Sequence, residues 1–67
     1  MTLNEMLMSS DVTEHVCGNR YKWVHDGIQY YAEVNPRNGC IQVTNGLIFR
    51  ECYRSTPIEK VYAEFSL

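Results

Sequence analysis

The sequence contains no apolar run that approaches the ~18 residues of a membrane-spanning helix. Its first lysine or arginine is Arg20, and Glu5 lies in the middle of the N-terminal segment, which argues against a secretory signal peptide. Three cysteines, Cys17, Cys40 and Cys52, cannot all pair with one another, so a disulfide framework is also disfavoured. These absences predict a soluble cytoplasmic protein that does not contact a membrane.

Metal and cofactor motifs are missing as well. The four glycines, at positions 18, 27, 39 and 46, are spread over turn sites and form no phosphate-binding loop. Five side chains have metal-ligating chemistry: His15, Cys17, His25, Cys40 and Cys52. Structural zinc sites usually use close pairs such as Cys-x-x-Cys, and the nearest approach here is His15-x-Cys17. We therefore predict no metal and no cofactor.

An enzymatic nucleophile is equally hard to find. Cys17, with His15 nearby, is the best candidate, because a thiol needs an adjacent base for this role. The predicted position of Cys17 is the C-terminal end of a helix, where the negative end of the helix dipole raises a thiol pKa. A chain of 67 residues also offers little concave volume for a substrate. We predict a non-enzymatic protein without catalytic residues.

The length fits one small domain, residues 1–67, which would bury only roughly 60% of its unfolded surface. The hydrophobic fraction of 45% is ordinary for a globular chain. The net charge of −2 is divided unevenly: −3 in residues 1–19, +2 in residues 20–54 and −1 in residues 55–67. This distribution predicts an acidic helical segment, a mildly basic set of strands and a C-terminal element.

The N-terminal segment, residues 2–17, has helical character. Thr2 and Glu5 have the capping-box spacing, and apolar residues recur at helical intervals from Leu3. The residues Ser-Ser-Asp at 9–11 interrupt this pattern, so one kinked helix and two short helices are both compatible with it. Gly18 is placed to end the helix.

Alternating polar and apolar residues predict four antiparallel strands between Arg20 and Arg54. Asp26-Gly27 and Asn45-Gly46 are the signals for two-residue hairpins, and Asn-Pro-Arg-Asn-Gly at 35–39 predicts a longer turn. The predicted core-facing residues are Tyr21, Trp23, Ile28, Tyr30, Ala32, Val34, Ile41, Val43, Leu47, Phe49 and Tyr53. The predicted opposite face carries Arg20, Lys22, Gln29, Tyr31, Glu33, Gln42, Thr44, Ile48, Arg50 and Arg54.

The C-terminal residues 55–67 favour a helix over a fifth strand. Thr56 is placed as the cap, with Pro57 at the first helical position, and apolar residues follow at helical spacing: Ile58, Val61, Tyr62 and Phe65. Together the patterns predict an α+β fold: a four-stranded antiparallel meander with an N-terminal and a C-terminal helix on one face.

The face with Arg20, Lys22, Tyr31, Ile48, Arg50 and Arg54 is the predicted binding surface, because tyrosine and arginine are enriched in protein-binding hot spots. The unpaired first and last strands offer a second route, pairing with another chain or with a second copy. Basic residues beside an aromatic on a sheet also suit nucleic acid, although the acidic net charge disfavours that alternative.

In its length, its initial methionine and its lack of a catalytic motif, the chain resembles the short accessory proteins of bacteriophages and mobile elements. Many of these bind a host protein and inhibit or redirect it. The resemblance implies a protein-binding inhibitor or modulator and carries over no particular residue. The alternative function is a small nucleic-acid-binding or transcription-regulating protein that uses the same face.

Overall fold

The computed structural model describes residues 1–66, so Leu67, the last residue of the predicted C-terminal segment, lies outside the described residues. Residues 1–66 form, in chain order, helix α1 (Leu3–Leu7), strands β1 (Thr13–Cys17), β2 (Arg20–His25), β3 (Ile28–Val34), β4 (Cys40–Thr44) and β5 (Phe49–Tyr53), and helix α2 (Ile58–Ala63). All strands belong to one antiparallel sheet, in the order β1-β2-β3-β4-β5. The α+β class and the antiparallel meander are confirmed; the predicted number of four strands within this part of the chain is wrong.

The additional strand is β1, which replaces the second part of the predicted N-terminal helix. Thr13 lies opposite Trp23 of β2, and Gly18, with a φ of 50°, turns the chain into β2 instead of ending a helix. Thr13 and Val16 are β-branched and favour extended backbone. The buried Thr13 hydroxyl also donates a hydrogen bond of 2.8 Å to the Met6 carbonyl, which ties β1 to the end of α1.

Helix α1 begins with the predicted capping box. The Thr2 hydroxyl accepts a hydrogen bond from the Glu5 backbone N–H, and a Glu5 carboxylate oxygen accepts one from the Thr2 backbone N–H. The hydrogen bond from the Thr2 backbone N–H, followed by the interaction of the carboxylate with the Thr2 hydroxyl, holds the pKa of Glu5 below its ordinary value. The box therefore satisfies two of the backbone donors that a helix start leaves without partners.

Backbone hydrogen bonds join the two ends of the chain. Leu3 N–H donates to the Thr56 carbonyl at 2.8 Å, and Ile58 N–H donates to the Met1 carbonyl at 2.9 Å. An isolated antiparallel bridge between Thr2 and Pro57 lies between these bonds. The start of α1 is thus fixed beside the start of α2, although the two segments are separated by almost the whole sequence.

The core lies between the two helices and one face of the sheet, which we call the inner face. Its buried residues are Leu3, Met6, Leu7, Trp23, Tyr30, Ala32, Val34, Ile41, Val43, Cys52 and Val61, with Tyr21, Ile58, Tyr62 and Phe65 packed against them in part. Trp23 stacks on Tyr30 with ring centroids 5.5 Å apart, and its Nε1–H donates to the Tyr62 hydroxyl at 3.0 Å. This aromatic cluster fixes α2 to the sheet.

Helix α2 confirms the helical prediction for the C-terminal segment against the alternative of a strand. The predicted cap is wrong, because the capping residue is Pro57 and no side chain within residues 1–66 caps the helix. The Thr56 hydroxyl instead accepts a hydrogen bond from the Tyr53 backbone N–H at 2.9 Å. That bond closes the turn between β5 and α2. No helix within residues 1–66 has the length and the apolar character needed to cross a bilayer.

Strand β5 faces the opposite way from the prediction. Its register places Cys52 opposite Ile41 and Arg50 opposite Val43, so these two β5 residues share the inner face. Phe49 and Tyr53, predicted to be in the core, are 60% and 54% exposed. The core predictions for Leu47 and Ile28 are wrong as well, since both residues are exposed.

Candidate protein-binding face

The sheet face opposite the helices, which we call the outer face, is not covered by any part of residues 1–66. Large apolar side chains are nevertheless exposed on it: Val16, Val24, Tyr31, Phe49 and Tyr53. Their exposed fractions lie between 47% for Tyr31 and 60% for Phe49. Scattered exposed apolar residues are normal, but a group of them on one face indicates a contact surface.

The strand register orders the outer face into two rows that run across β2, β3, β4 and β5. The first, which we call the aromatic row, contains Lys22, Tyr31, Thr44 and Phe49. The second, the charged row, contains Arg20, Glu33, Gln42 and Glu51. Because neighbouring strands are about 4.8 Å apart, side chains within one row are in lateral contact range.

A groove of ≈ 360 Å³ follows the centre of this face. Tyr31 and Phe49 contribute aromatic surface to it, Thr44 lies between them in the register, and Val16 extends it toward β1. Arg20, Lys22 and Glu33 also line it. The groove is neither enclosed nor flat, and therefore suits an extended or side-chain-sized insertion from another macromolecule better than an enclosed small ligand.

The charges on the outer face largely compensate one another. Arg20 Nε lies 3.6 Å from Glu33 Oε2, and Lys22 Nζ lies 3.3 Å from Glu14 Oε2. All four side chains are well exposed, so each pair contributes no more than about 1 kcal/mol to stability. Glu51 makes no ion pair with any residue between 1 and 66. The face therefore carries more carboxylates than bases.

The structure brings together three of the six residues predicted from the sequence. Arg20, Lys22 and Tyr31 share the outer face. The other three do not join them: Arg50, Arg54 and Ile48. The predicted surface of six residues is therefore incorrect as a geometric unit, although half of it is retained.

The three displaced residues have separate environments. Arg50 is on the inner face, with its Nε 3.8 Å from Glu64 Oε2 at the end of α2. Arg54 lies in the turn after β5, where its Nη1 donates to Asn4 Oδ1 at 2.6 Å. Ile48 is half-buried in the loop before β5, and its carbonyl accepts a hydrogen bond from the Thr44 hydroxyl. Arg50 and Arg54 thus contact residues of α1 and the end of α2, and do not lie on the outer face.

Sequence reasoning missed Phe49, Glu51 and Tyr53 as members of this face. Their large apolar side chains led to the prediction that Phe49 and Tyr53 are buried. The missed signal is the hairpin itself. A loop with an even number of residues places Thr44 and Phe49 on the same face, and Thr44 was correctly predicted to be outside.

Comparisons with protein-family models, curated proteins and solved structures return no match.

The free edge of β5 has few backbone groups left for strand pairing. The Tyr53 backbone N–H and C=O both bond to Thr56, at 2.9 and 3.1 Å. The Phe49 carbonyl accepts a hydrogen bond from Arg50 Nη1 at 2.9 Å. Along an antiparallel strand, every second residue directs its backbone N–H and C=O groups away from the neighbouring strand. On β5 these residues are Phe49, Glu51 and Tyr53. Only the central residue of the edge keeps both of its groups free.

The β1 edge is equally poor for strand addition. The Thr13 backbone N–H already donates to the Ser9 carbonyl at 2.9 Å. A register shift between His15 and Cys17 then interrupts the regular ladder. Short edges with a bulge are a known protection against edge-to-edge pairing. Both edges therefore favour the outer face, and not strand addition, as the contact surface.

The residues considered for zinc or nucleophile chemistry do not converge. Within residues 1–66 no three His, Cys, Asp or Glu side chains lie close enough to hold a metal ion. His15 Nε2 forms a hydrogen bond of 2.7 Å with the Gly18 carbonyl, and the His25 ring stacks on the Tyr62 ring with centroids 3.8 Å apart. The three cysteines are free, with Cys17 exposed and Cys52 buried.

We expect the exposed Cys17 and the buried Cys52 to differ in their rates of alkylation. Burial raises the pKa of the Cys52 thiol, and the carboxylates of Glu64 and Glu51 raise it further. Iodoacetamide should alkylate Cys17 at least about tenfold faster than Cys52 at neutral pH, because the thiolate is the reactive species and Cys52 is also inaccessible. The alkylation rate of Cys52 should rise only at a pH above the pKa of an ordinary thiol.

Peptide mapping of the time course measures both rates. Alkylation in concentrated urea is the control and should make the two rates similar. Equal rates in the folded protein would contradict the burial of Cys52.

Proposed function

We propose that the protein is a non-enzymatic binding module that acts by protein–protein contact, with the outer face as its binding surface. One observation carries the proposal: β5 presents Phe49 and Tyr53 to solvent while Cys52 is buried beneath the helices. Exposing two aromatic rings costs stability unless a partner covers them. As the resemblance to phage-type and mobile-element proteins suggests, the outcome of binding would be inhibition or modulation of a host protein.

The composition of the outer face supports protein over nucleic acid as the partner. Tyr31 and Phe49 line the same groove as Arg20 and Lys22, and Tyr53 is exposed further along β5; tyrosine and arginine are enriched in protein-binding hot spots. A nucleic-acid surface needs an excess of unpaired bases to neutralise phosphates. Here both bases are already paired with carboxylates, and two further predicted bases are turned toward the helices.

A photo-crosslinking residue in place of Phe49 tests this proposal in the native host. It should form a covalent adduct with one specific protein, whereas the same residue in place of Met8 should not. Met8 is the matched control because it is also 60% exposed but lies at the end of α1, away from the outer face. The captured protein is then purified and its affinity is measured by calorimetry.

We expect Tyr31→Ala and Phe49→Ala each to weaken this affinity by about 5- to 30-fold, which corresponds to about 1–2 kcal/mol. Met8→Ala should change the affinity less than about twofold. Recovery of RNA or DNA without protein would overturn the proposal and support the alternative, a nucleic-acid-binding or regulatory protein. In that case binding should weaken with salt by a log–log slope of roughly −0.7 to −0.9 per phosphate contact.

A further inference from the structure

We propose that the outer face is self-complementary and that two copies of the chain associate face to face through it. This inference rests on the proposed function, since it assigns a second copy to the same surface. The result would be two sheets stacked about 10 Å apart, with the helices of each copy on the outside. Self-association would cover the exposed Phe49 of β5 in the absence of another partner.

The two rows of the outer face define the symmetry. A two-fold axis parallel to the strands and midway between β3 and β4 exchanges β2 with β5 and β3 with β4. In the aromatic row it places Lys22 of one copy over Phe49 of the other, and Tyr31 against Thr44. A lysine over a phenylalanine ring is a favourable cation–π arrangement.

The charged row matches under the same operation. Arg20 of one copy meets Glu51 of the second copy, and Glu33 meets the Gln42 amide, which can donate to a carboxylate. Glu51 is the outer-face carboxylate without an intramolecular ion pair in residues 1–66. The axis brings it to Arg20 of the second copy, whose guanidinium also faces Glu33 of its own chain and can bond to both carboxylates. Because the interface is isologous, each of these contacts occurs twice.

Other placements of the axis are less favourable. An axis that runs across the strands between the two rows would place Arg20 against Lys22 and Phe49 against Glu51. Like charges in contact and a carboxylate against an aromatic face both disfavour association.

Stacked sheets are rotated by about 30° relative to each other. The long side chains of Arg20 and Lys22 can follow the displacement that this rotation causes in the proposed dimer.

The contact area predicts a weak dimer. Four strands about 4.8 Å apart and about five residues of about 3.3 Å each give a patch of roughly 19 by 17 Å per copy. The area of this patch is below the ~800 Å² per partner of a standard stable interface. We therefore expect a dissociation constant in the micromolar range or weaker, so that dilution exposes the face to another protein.

Sedimentation equilibrium of the purified wild-type chain over a wide concentration range should show a reversible monomer–dimer equilibrium. Arg20→Glu and Glu51→Arg should each weaken dimerisation by at least about tenfold, because each places like charges opposite each other twice. Arg37→Glu is the matched control. It makes the same change of charge as Arg20→Glu, but in the exposed turn between β3 and β4, and should leave dimerisation unchanged.

An equimolar mixture of the two single variants is the decisive measurement. In the mixed dimer the carboxylate introduced at position 20 of one chain meets the guanidinium introduced at position 51 of the other. The unchanged Glu51 of the first chain meets the unchanged Arg20 of the second, so association should return to the wild-type strength although each variant alone is monomeric. Circular dichroism confirms that both variants are folded. A wild-type chain that stays monomeric, or variants that dimerise like wild type, would overturn this inference.

The two proposals fail in different ways. If the wild-type chain is monomeric but Phe49→Ala abolishes capture of the host protein, the self-association is wrong and the binding function stands. If the mixture restores dimerisation but the dilute monomer captures no protein, the binding function is wrong and the self-association stands.

Discussion

Replacing Trp23 with alanine should leave most of the protein unfolded at 25 °C. Trp23 is buried, stacks on Tyr30 and donates its indole N–H to the Tyr62 hydroxyl, so it joins β2 to both β3 and α2. Truncation of a large buried aromatic costs about 3–5 kcal/mol. A core of this size supplies no more than about 3–5 kcal/mol in total, so the change removes nearly all of the stability.

Two controls separate the contributions of Trp23. Trp23→Phe keeps an aromatic ring against Tyr30 but removes the donor to Tyr62, so the expected loss is smaller, about 1–2 kcal/mol. Val24→Ala alters the next residue, which is 59% exposed on the outer face, and should change stability by less than about 0.5 kcal/mol. The free energy of unfolding is measured by far-UV circular dichroism in urea, because the chain has one tryptophan and its fluorescence disappears with the substitution.

Equal stability of Trp23→Ala and Val24→Ala would contradict the position of Trp23 in the core. It would also remove the reason for treating the opposite face as the free one.

The sequence determined the phase of β2, β3 and β4 correctly, because their apolar residues alternate with polar ones. Trp23, Tyr30, Ala32, Ile41 and Val43 were expected inside and are buried. A shift of one residue would have moved every one of them to solvent. Alternation over consecutive strands joined by short turns therefore specifies the core face well.

The segment before β2 was harder, because its composition fits a helix and a strand. Thr13 was expected to lie in the helical segment 2–17, whose local capping signal at Thr2 and Glu5 amounts to about 1 kcal/mol. The structure instead satisfies Thr13 with a hydrogen bond to Met6 and pairs it with Trp23. Such long-range contacts are not visible in a local pattern. A Gly-Asn pair between two short alternating runs was the available hairpin signal.

Strand β5 was phased incorrectly because hydrophobicity and register give opposite results there. Phe49 and Tyr53 are the largest apolar residues of the strand, so pattern alone places them inside. The hairpin pairs Thr44 with Phe49 through a loop of four residues, with the Asn45 side chain accepting hydrogen bonds from the Leu47 and Ile48 backbone. The predicted two-residue loop at Asn45-Gly46 would also have placed Phe49 on the outer face, as the structure does.

Strand β5, where hydrophobicity and register disagree, is part of the candidate binding face. A chain selected only for stability would bury the larger aromatic residues and expose the cysteine and the arginine. The reverse arrangement in β5 leaves Phe49 and Tyr53 on the same face as Tyr31 and the pairs of Arg20 and Lys22. Places where local pattern and structure disagree are often functional, which supports the outer face as the binding surface.

Placing a carboxylate at either of two adjacent positions of β5 distinguishes the two phases. Cys52→Asp should unfold the protein, because an unpaired charge would be buried opposite Ile41 and close to the carboxylates of Glu64 and Glu51, at a cost of more than about 3 kcal/mol. Tyr53→Asp should cost less than about 1 kcal/mol, since Tyr53 is 54% exposed and its backbone bonds to Thr56 are retained.

Cys52→Val is the matched control for size and should remain folded, which shows that position 52 rejects the charge and not every substitution. Urea denaturation followed by circular dichroism measures the three variants together with wild type. If Tyr53→Asp unfolds the chain while Cys52→Asp is tolerated, β5 has the opposite phase. Phe49 and Glu51 would then leave the outer face. The face would lose both an aromatic residue proposed to contact a host protein and the carboxylate proposed to meet Arg20 of a second copy.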